Sequence, residues 1–202
     1  REQKLTALRE VLKKEGADYL LTSKLDDIAW IFNLRGSDVP DNPVFYAYSL
    51  IPAKGNATLF INEEKVPADL KEQLAEEGVV LAPYHSVGAA LASLSSGTVL
   101  ADPEEINASL LSRLPEQITQ LELPNPIELM KALKTPEEIE LISEAMLKDG
   151  VALVRFFAWL DRNLGKEEMT EQSLADKLLY FRKSLPGYIS LSFETISAFG
   201  PN

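Results

Sequence analysis

Side chains able to ligate a transition metal, or to pair as nucleophile and base, are scarce in this 202-residue chain: cysteine is absent and His85 is the sole histidine. A zinc site assembled from cysteine and histidine is therefore excluded, because such a site needs several of these ligands at once. A Ser-His-Asp or Cys-His arrangement would have to use His85, which lies in Pro83-Tyr84-His85-Ser86 at the end of an apparent strand, Val79 to Tyr84. That placement reads first as a surface or helix-start histidine. The 31 acidic residues contain enough oxygen for a hard cation, yet they are spaced as solvated faces, as in Glu63, Glu64, Asp69, Glu72, Glu76 and Glu77. No converging set is visible.

The best candidate for recognition is the polar loop Asn33-Leu34-Arg35-Gly36-Ser37-Asp38, which follows an apolar helix. Arg35, Ser37 and Asp38 are the substrate-side candidates, since a guanidinium and a carboxylate together can hold a peptide terminus or a partner subunit. The plainer alternative makes Gly36 a helix C-cap, Asp38 and Asp41 turn residues, and Arg35 a cation offsetting the helix dipole. Trp30 and Trp159 sit at helical spacing within apolar faces and read as core. Phe45, Tyr46 and Tyr48 read as strand packing before they read as a binding platform.

A formal net charge of −11 argues against nucleic acid and anionic membrane surfaces, which need a concentrated positive stripe. The longest basic run is Lys13-Lys14. No 18-residue apolar stretch and no charged-then-apolar amino terminus is present, so the expectation is a cytoplasmic protein that neither spans nor coats a membrane.

The elements that must position these residues alternate along the chain. Leu5, Leu8, Val11 and Leu12 recur at helical spacing up to Gly16, and Ala17 to Thr22 reads as a buried strand. Ser23 is expected to cap a helix that carries Ile28, Ala29, Ile31 and Phe32 and ends at Gly36. Val44 to Ile51 and Thr58 to Asn62 form a hairpin across Lys54-Gly55-Asn56. Helix Pro67 to Glu77, strand Val79 to Tyr84, helix Val87 to Leu94 and strand Thr98 to Ala101 follow. Asp102 is expected to cap a helix with Pro103 in its first position, and Ile118 to Leu123 supplies the last strand. Six strands with interleaved helices describe an α/β domain on a mixed six-stranded sheet, expected over residues 1–124.

Pro124-Asn125-Pro126 marks a change of character, because prolines leave a sheet ladder and stiffen a connection. The second unit is expected over 125–202. Thr135-Pro136-Glu137-Glu138 has the residues of a capping box, opening a helix to about Leu164 that would span roughly 43 Å. Gly150 in its middle weakens it by about 1 kcal/mol relative to alanine. A helix Glu171 to Lys183, capped by Thr170, then feeds an apolar run, Tyr188 to Phe199, that reads as a strand entering a sheet. Two helices and one strand are too little for a domain, so the chain is expected to be a fragment.

The run Ser192 to Asn202 (SFETISAFGPN) resembles the strand and turn of aminopeptidase P, the three-domain pita-bread metallopeptidase family. Three further blocks match that family in order: Leu25 to Ser49, Asn125 to Glu140 and Asp149 to Asp161. The resemblance implies a creatinase-like non-catalytic domain followed by the N-terminal part of a truncated pita-bread catalytic domain. It also implies a parent enzyme that removes the first residue from peptides with proline second. Two divalent metal ions, typically manganese, are implied for that parent, held by two Asp, one His and two Glu of the segment that follows in the family. A homo-oligomer is expected, because an unpaired apolar edge at Tyr188 to Phe199 would recruit another chain. On these grounds the chain itself is expected to be inactive, with no catalytic or metal-binding residue of its own. The alternative is a binding or assembly module that shares the fold and does no chemistry.

Overall fold

The computed structural model describes residues 1–201. Six strands form one sheet: β1 (Tyr19–Thr22), β2 (Ala47–Pro52), β3 (Ala57–Ile61), β4 (Val79–Pro83), β5 (Thr98–Ala101) and β6 (Thr119–Glu122), in the order β4-β3-β2-β1-β5-β6. The sheet is mixed, since β1–β2 and β2–β3 are antiparallel while β3–β4, β1–β5 and β5–β6 are parallel. Each parallel pair needs a crossover, which is why helices separate β3 from β4 and β5 from β6. These expectations of fold class are met.

Alternation along the strands divides the core between the two faces of the sheet. Leu20, Leu59 and Leu100 point to one face, where they meet α1 (Glu2–Glu15), α2 (Leu25–Phe32), α3 (Ala68–Glu76) and α6 (Pro126–Ala132) through Leu8, Ile28, Leu74 and Ile127. Their neighbours Leu21, Phe60 and Val99 point to the other, against Val87 and Leu91 of α4 (Val87–Ala92) and the residues flanking α5 (Ala108–Leu111). Each fully buried leucine or phenylalanine contributes about 1.5–3 kcal/mol relative to exposure. Gly16, in the left-handed region at φ 71°, closes α1 as a C-cap should.

Four local expectations are corrected. Lys24, not Ser23, precedes α2, and the Ser23 hydroxyl instead donates to the Glu105 carbonyl at 2.8 Å. The helix ends at Phe32 because Asn33 takes the left-handed conformation at φ 50°, three residues before Gly36. No helix begins at Asp102. Its carboxylate caps only a turn, accepting from Glu104 N–H at 2.9 Å, while its other oxygen accepts from Asn125 N–H at 3.0 Å. The helix there is α5, capped by Asn107.

The described residues divide into two compact units, one of residues 1–39 with 43–133 and one of 40–42 with 134 onward. The first therefore includes Asn125 and all of α6. In the second, α7 (Pro136–Asn163) runs unbroken through Gly150 for 28 residues, about 42 Å. Its capping box is formed: Thr135 Oγ1 accepts from Glu138 N–H at 3.2 Å and Glu138 Oε2 accepts from Thr135 N–H at 2.8 Å. Thr170 and Ser173 form the equivalent box on α8 (Glu171–Lys183). Arg182 of α8 clasps Asp149 of α7 with two donors, at 2.6 and 3.2 Å. The fourth correction lies beyond α8: Tyr188 to Phe199 forms no strand. No other described segment of this unit is a strand, so an extended run there has no ladder to join. Ile189, Phe193, Ile196 and Phe199 are largely exposed.

Candidate functional site

The loop after α2 is built on backbone hydrogen bonds. Leu34 N–H returns to the Ala29 carbonyl at 2.9 Å, then Gly36 N–H donates to Pro43 O at 3.2 Å and Asp38 N–H to Val44 O at 3.1 Å. The two stretches lie so close that a Cβ at Gly36 would stand 2.7 Å from Phe45 Cβ and 3.1 Å from the Val44 carbonyl. Glycine is required here by proximity, not as a helix cap. Gly36→Ala is expected to lower the unfolding free energy by about 1–3 kcal/mol by urea titration, because Phe45 is buried and cannot give way. An unchanged urea midpoint would contradict that close approach.

Asp38 is the anchor of this loop. One carboxylate oxygen accepts from Lys65 Nζ at 2.7 Å and the other from Tyr46 N–H at 2.8 Å. The Lys65 hydrogen bond, followed by that of Tyr46, holds its carboxyl below the usual range. Asp38 is thereby committed to positioning. Arg35 and Ser37 remain exposed on the same loop.

Tyr46 and Lys65 also line a cleft of about 690 Å³, with Ile61, Asn62, Tyr84 and His85 among its other walls. The register explains the grouping, since Ala47 faces Ile61 and Ile61 faces Pro83 across neighbouring strands. Tyr46, Asn62 and Tyr84, each one residue outside those positions, therefore meet at one end of the sheet. It is the carboxyl end of the parallel pair β3–β4, where open α/β sheets commonly bind ligands. Tyr84 packs against Tyr48 with ring centroids 5.1 Å apart and meets His85 edge-on at 5.2 Å. Burial, then the hydrogen bond with Tyr48, pushes the Tyr84 phenol up to about 12, so it stays protonated and able to donate. Ser86 Oγ is spent on the Pro83 carbonyl at 2.7 Å and is not activated by His85.

A second polar cluster, which sequence reasoning missed, lies at the carboxyl ends of β1 and β5. Asn125 is 3% exposed, and Thr22 and Asp27 are fully buried. The Asn125 amide nitrogen lies 3.1 Å from Thr22 Oγ1, 3.1 Å from Asp27 Oδ2 and 3.0 Å from Glu105 Oε2, while its oxygen caps α6 at Ile127 N–H, 3.1 Å. Lys131 donates to both Asp26 and Asp27, and Lys24 bridges to Glu128 at 2.6 Å. Burial dominates at Asp27 and Glu105 and raises both carboxyls, against the pull of Lys131 and Asn125 respectively. At Asp26 burial acts the same way but is outweighed by the Lys131 hydrogen bond and charge, so its carboxyl is lowered. The one sequence signal was Asn125 before a proline, the pattern of a helix cap.

Neither cluster suits a metal ion pair. The carboxylates around Asn125 face lysine ammoniums and an amide nitrogen, which occupy the space a cation would need. Among the described residues no group of three or more His, Cys, Asp or Glu gathers as a ligand set. No described helix is long and apolar enough to cross a membrane.

Comparison with known proteins agrees with the fold. Residues 1–138 match the model of the Creatinase/Prolidase N-terminal domain. A probable Xaa-Pro aminopeptidase P of Sordaria macrospora is 36% identical over 214 residues, covering 99% of this chain and 34% of that protein. Xaa-Pro aminopeptidase 1 of Dictyostelium discoideum is 37% identical over 210 residues, covering 99% of this chain and 32% of its own length. Among solved structures, X-prolyl aminopeptidase from Caenorhabditis elegans, described as a cytosolic enzyme with a di-nuclear active site, superposes with a TM-score of 0.88 at 31% identity. It covers 98% of this chain and 33% of that one. The chain thus spans about a third of the length of the relatives it matches. With residues 1–138 matched by that model, the chain belongs to the creatinase/prolidase N-terminal domain family.

Proposed function

We propose that this chain is part of a cytosolic aminopeptidase that removes the N-terminal residue from peptides with proline in second position. The first unit, which takes in α6 and so runs past the boundary expected at residue 124, is the non-catalytic α/β domain of that enzyme, shaping substrate access and assembly into a homo-oligomer. The residues from 134 onward open its pita-bread domain. The two divalent ions, manganese in this reading, belong to a part of the enzyme outside the present residues, and no hydrolytic step is assigned to any side chain here. The observation that carries the proposal is the similarity to Xaa-Pro aminopeptidases along 99% of the chain at 36–37% identity.

Within the first unit, Arg35 and Ser37 are the residues offered to a peptide, and Asp38 fixes the loop that presents them. A chimera tests the assignment directly. The 202 residues alone, supplied with manganese, are expected not to cleave a peptide with proline second; fusion to the remaining carboxyl-terminal part of the Dictyostelium relative is expected to restore cleavage. Turnover by the unfused chain would overturn the proposal, and so would a folded fusion that loads metal yet stays inactive.

A further inference from the structure

We propose that the cluster around Asn125 is a proton-operated latch on α6: Glu105 takes up a proton on mild acidification, which tightens α6 against the rest of the first unit, and gives it up at higher pH, which loosens the helix. The latch acts on an element that cannot hold itself, since seven residues are too few for a helix to persist alone in water. Among the apolar side chains of α6 only Ile127 is fully buried, whereas Leu129 and the following Leu133 are 67% and 69% exposed. The polar contacts of Asn125, Glu128 and Lys131 therefore decide whether α6 stays docked.

Those contacts leave Glu105 the less compensated of the two carboxylates that meet at Asn125. The Asn125 amide nitrogen has two hydrogens for three oxygens, those of Thr22, Asp27 and Glu105 at 3.1, 3.1 and 3.0 Å, so at any moment one oxygen goes without. Asp27 has Lys131 Nζ at 2.5 Å on its other oxygen. The ammonium facing Glu105 is Lys24, which stands 3.6 Å away and gives its short bond to Glu128 instead, at 2.6 Å. The other charges acting on Glu105 are the carboxylates of Asp27 on α2 and Asp102 after β5, and Asp26 beside them is paired with Lys131. Because both contact one nitrogen, the facing oxygens of Asp27 and Glu105 lie within about 6 Å of each other, a repulsion little screened where Glu105 is only 12% exposed. A proton on Glu105 removes that repulsion and weakens only the long contact to Lys24. Burial raises the Glu105 carboxyl against the Asn125 hydrogen bond, with Asp27 and Asp102 adding to the rise. A carboxyl raised in the docked state opposes docking once ionised, so the latch is tight below the folded value and loose above it. Asp27 is raised by burial too but keeps Lys131 as its counter-ion, while Asp26 is lowered and Lys24 and Lys131 are raised, which takes these three out of the mildly acidic to neutral window.

Amide hydrogen exchange of the 202-residue chain, read by mass spectrometry between about pH 4.5 and 8 and corrected for the intrinsic pH dependence of exchange, tests it. Peptides covering Ile127 to Leu133 are expected to be about three- to tenfold more protected at the acid end than at the alkaline end, with β1 more protected than α6 throughout. Glu105→Gln keeps the shape and an acceptor for Asn125 without the charge. It is expected to cut that ratio below about twofold and to give α6 its acid-end protection at every pH. A merely structural Glu105 would leave the ratio in place and shift protection equally at all pH values. Equal protection of α6 at both ends in the parent, the parental ratio retained in Glu105→Gln, or α6 exchanging no faster than β1, so that it opens only with the whole unit, would each overturn the proposal.

Discussion

Replacing Lys131 by alanine is expected to destabilise the first unit by about 2–4 kcal/mol at neutral pH, the range for removing one partner of a buried ion pair, reduced because Lys131 keeps some solvent. Its side chain is 24% exposed whereas that of Asp27 is fully buried, so the deletion leaves a carboxylate with no access to water. The pH dependence carries the sign. A carboxyl whose folded value is raised opposes folding at neutral pH, and that opposition fades as pH falls through the folded value. Asp27 and Glu105 are of this kind, while Asp26 is the reverse and loses its contribution as pH falls through its lowered value. Without Lys131 the Asp27 carboxyl climbs further, so the deficit of Lys131→Ala relative to the parent is expected to shrink on acidification. The double variant Lys131→Met with Asp27→Asn removes both charges while keeping the aliphatic stem, and should recover most of the loss. Chemical denaturation across pH measures all three. A deficit independent of pH would show that Lys131 acts by packing alone, and no recovery in the double variant would contradict the assignment of the loss to an unpaired Asp27 carboxylate.

The second large effect concerns the apolar surface beyond residue 133. Leu147 and Val154 are 71% and 70% exposed on α7, and Ile196 and Phe199 are 87% and 84% exposed after α8. Apolar side chains at this density on one unit mark an interaction surface or an aggregation hazard. The 202-residue chain is accordingly expected to self-associate at micromolar concentrations, and a version ending at Leu133 to stay monomeric. The shorter version must keep α6, because Asn125 and Ile127 are buried in the first unit. Sedimentation velocity distinguishes the two. Equally monomeric species would mean that the exposed leucines and phenylalanines are tolerated in water without a partner.

The sheet was legible because its strands carry period-two patterns and its helices carry apolar stripes: Leu20 and Leu21, or Leu59 and Phe60, go to opposite faces as alternation requires. Caps with a single competing partner were legible too, as at Thr135 and Thr170. Ser23 and Asp102 were misread because their cap chemistry is claimed by distant residues, Glu105 and Asn125, and no local window reports such a claim. The same holds for the buried cluster: Asn125 and Thr22 are 103 positions apart, and only the fold joins them. Tyr46 was read as strand packing from its neighbours Phe45 and Tyr48. The chain exposes it because Asp38, eight residues earlier, pins its amide outside β2.

Isothermal titration of the metal-stripped 202-residue chain with manganese, paired with elemental analysis of the protein after gel filtration, tests most directly whether the catalytic ions lie outside these residues. With one histidine, no cysteine and the Asp27 and Glu105 carboxylates engaged by Lys24, Lys131 and Asn125, the chain is expected to retain less than a stoichiometric equivalent and to cleave no peptide with proline second. Two tightly held equivalents together with turnover would contradict it.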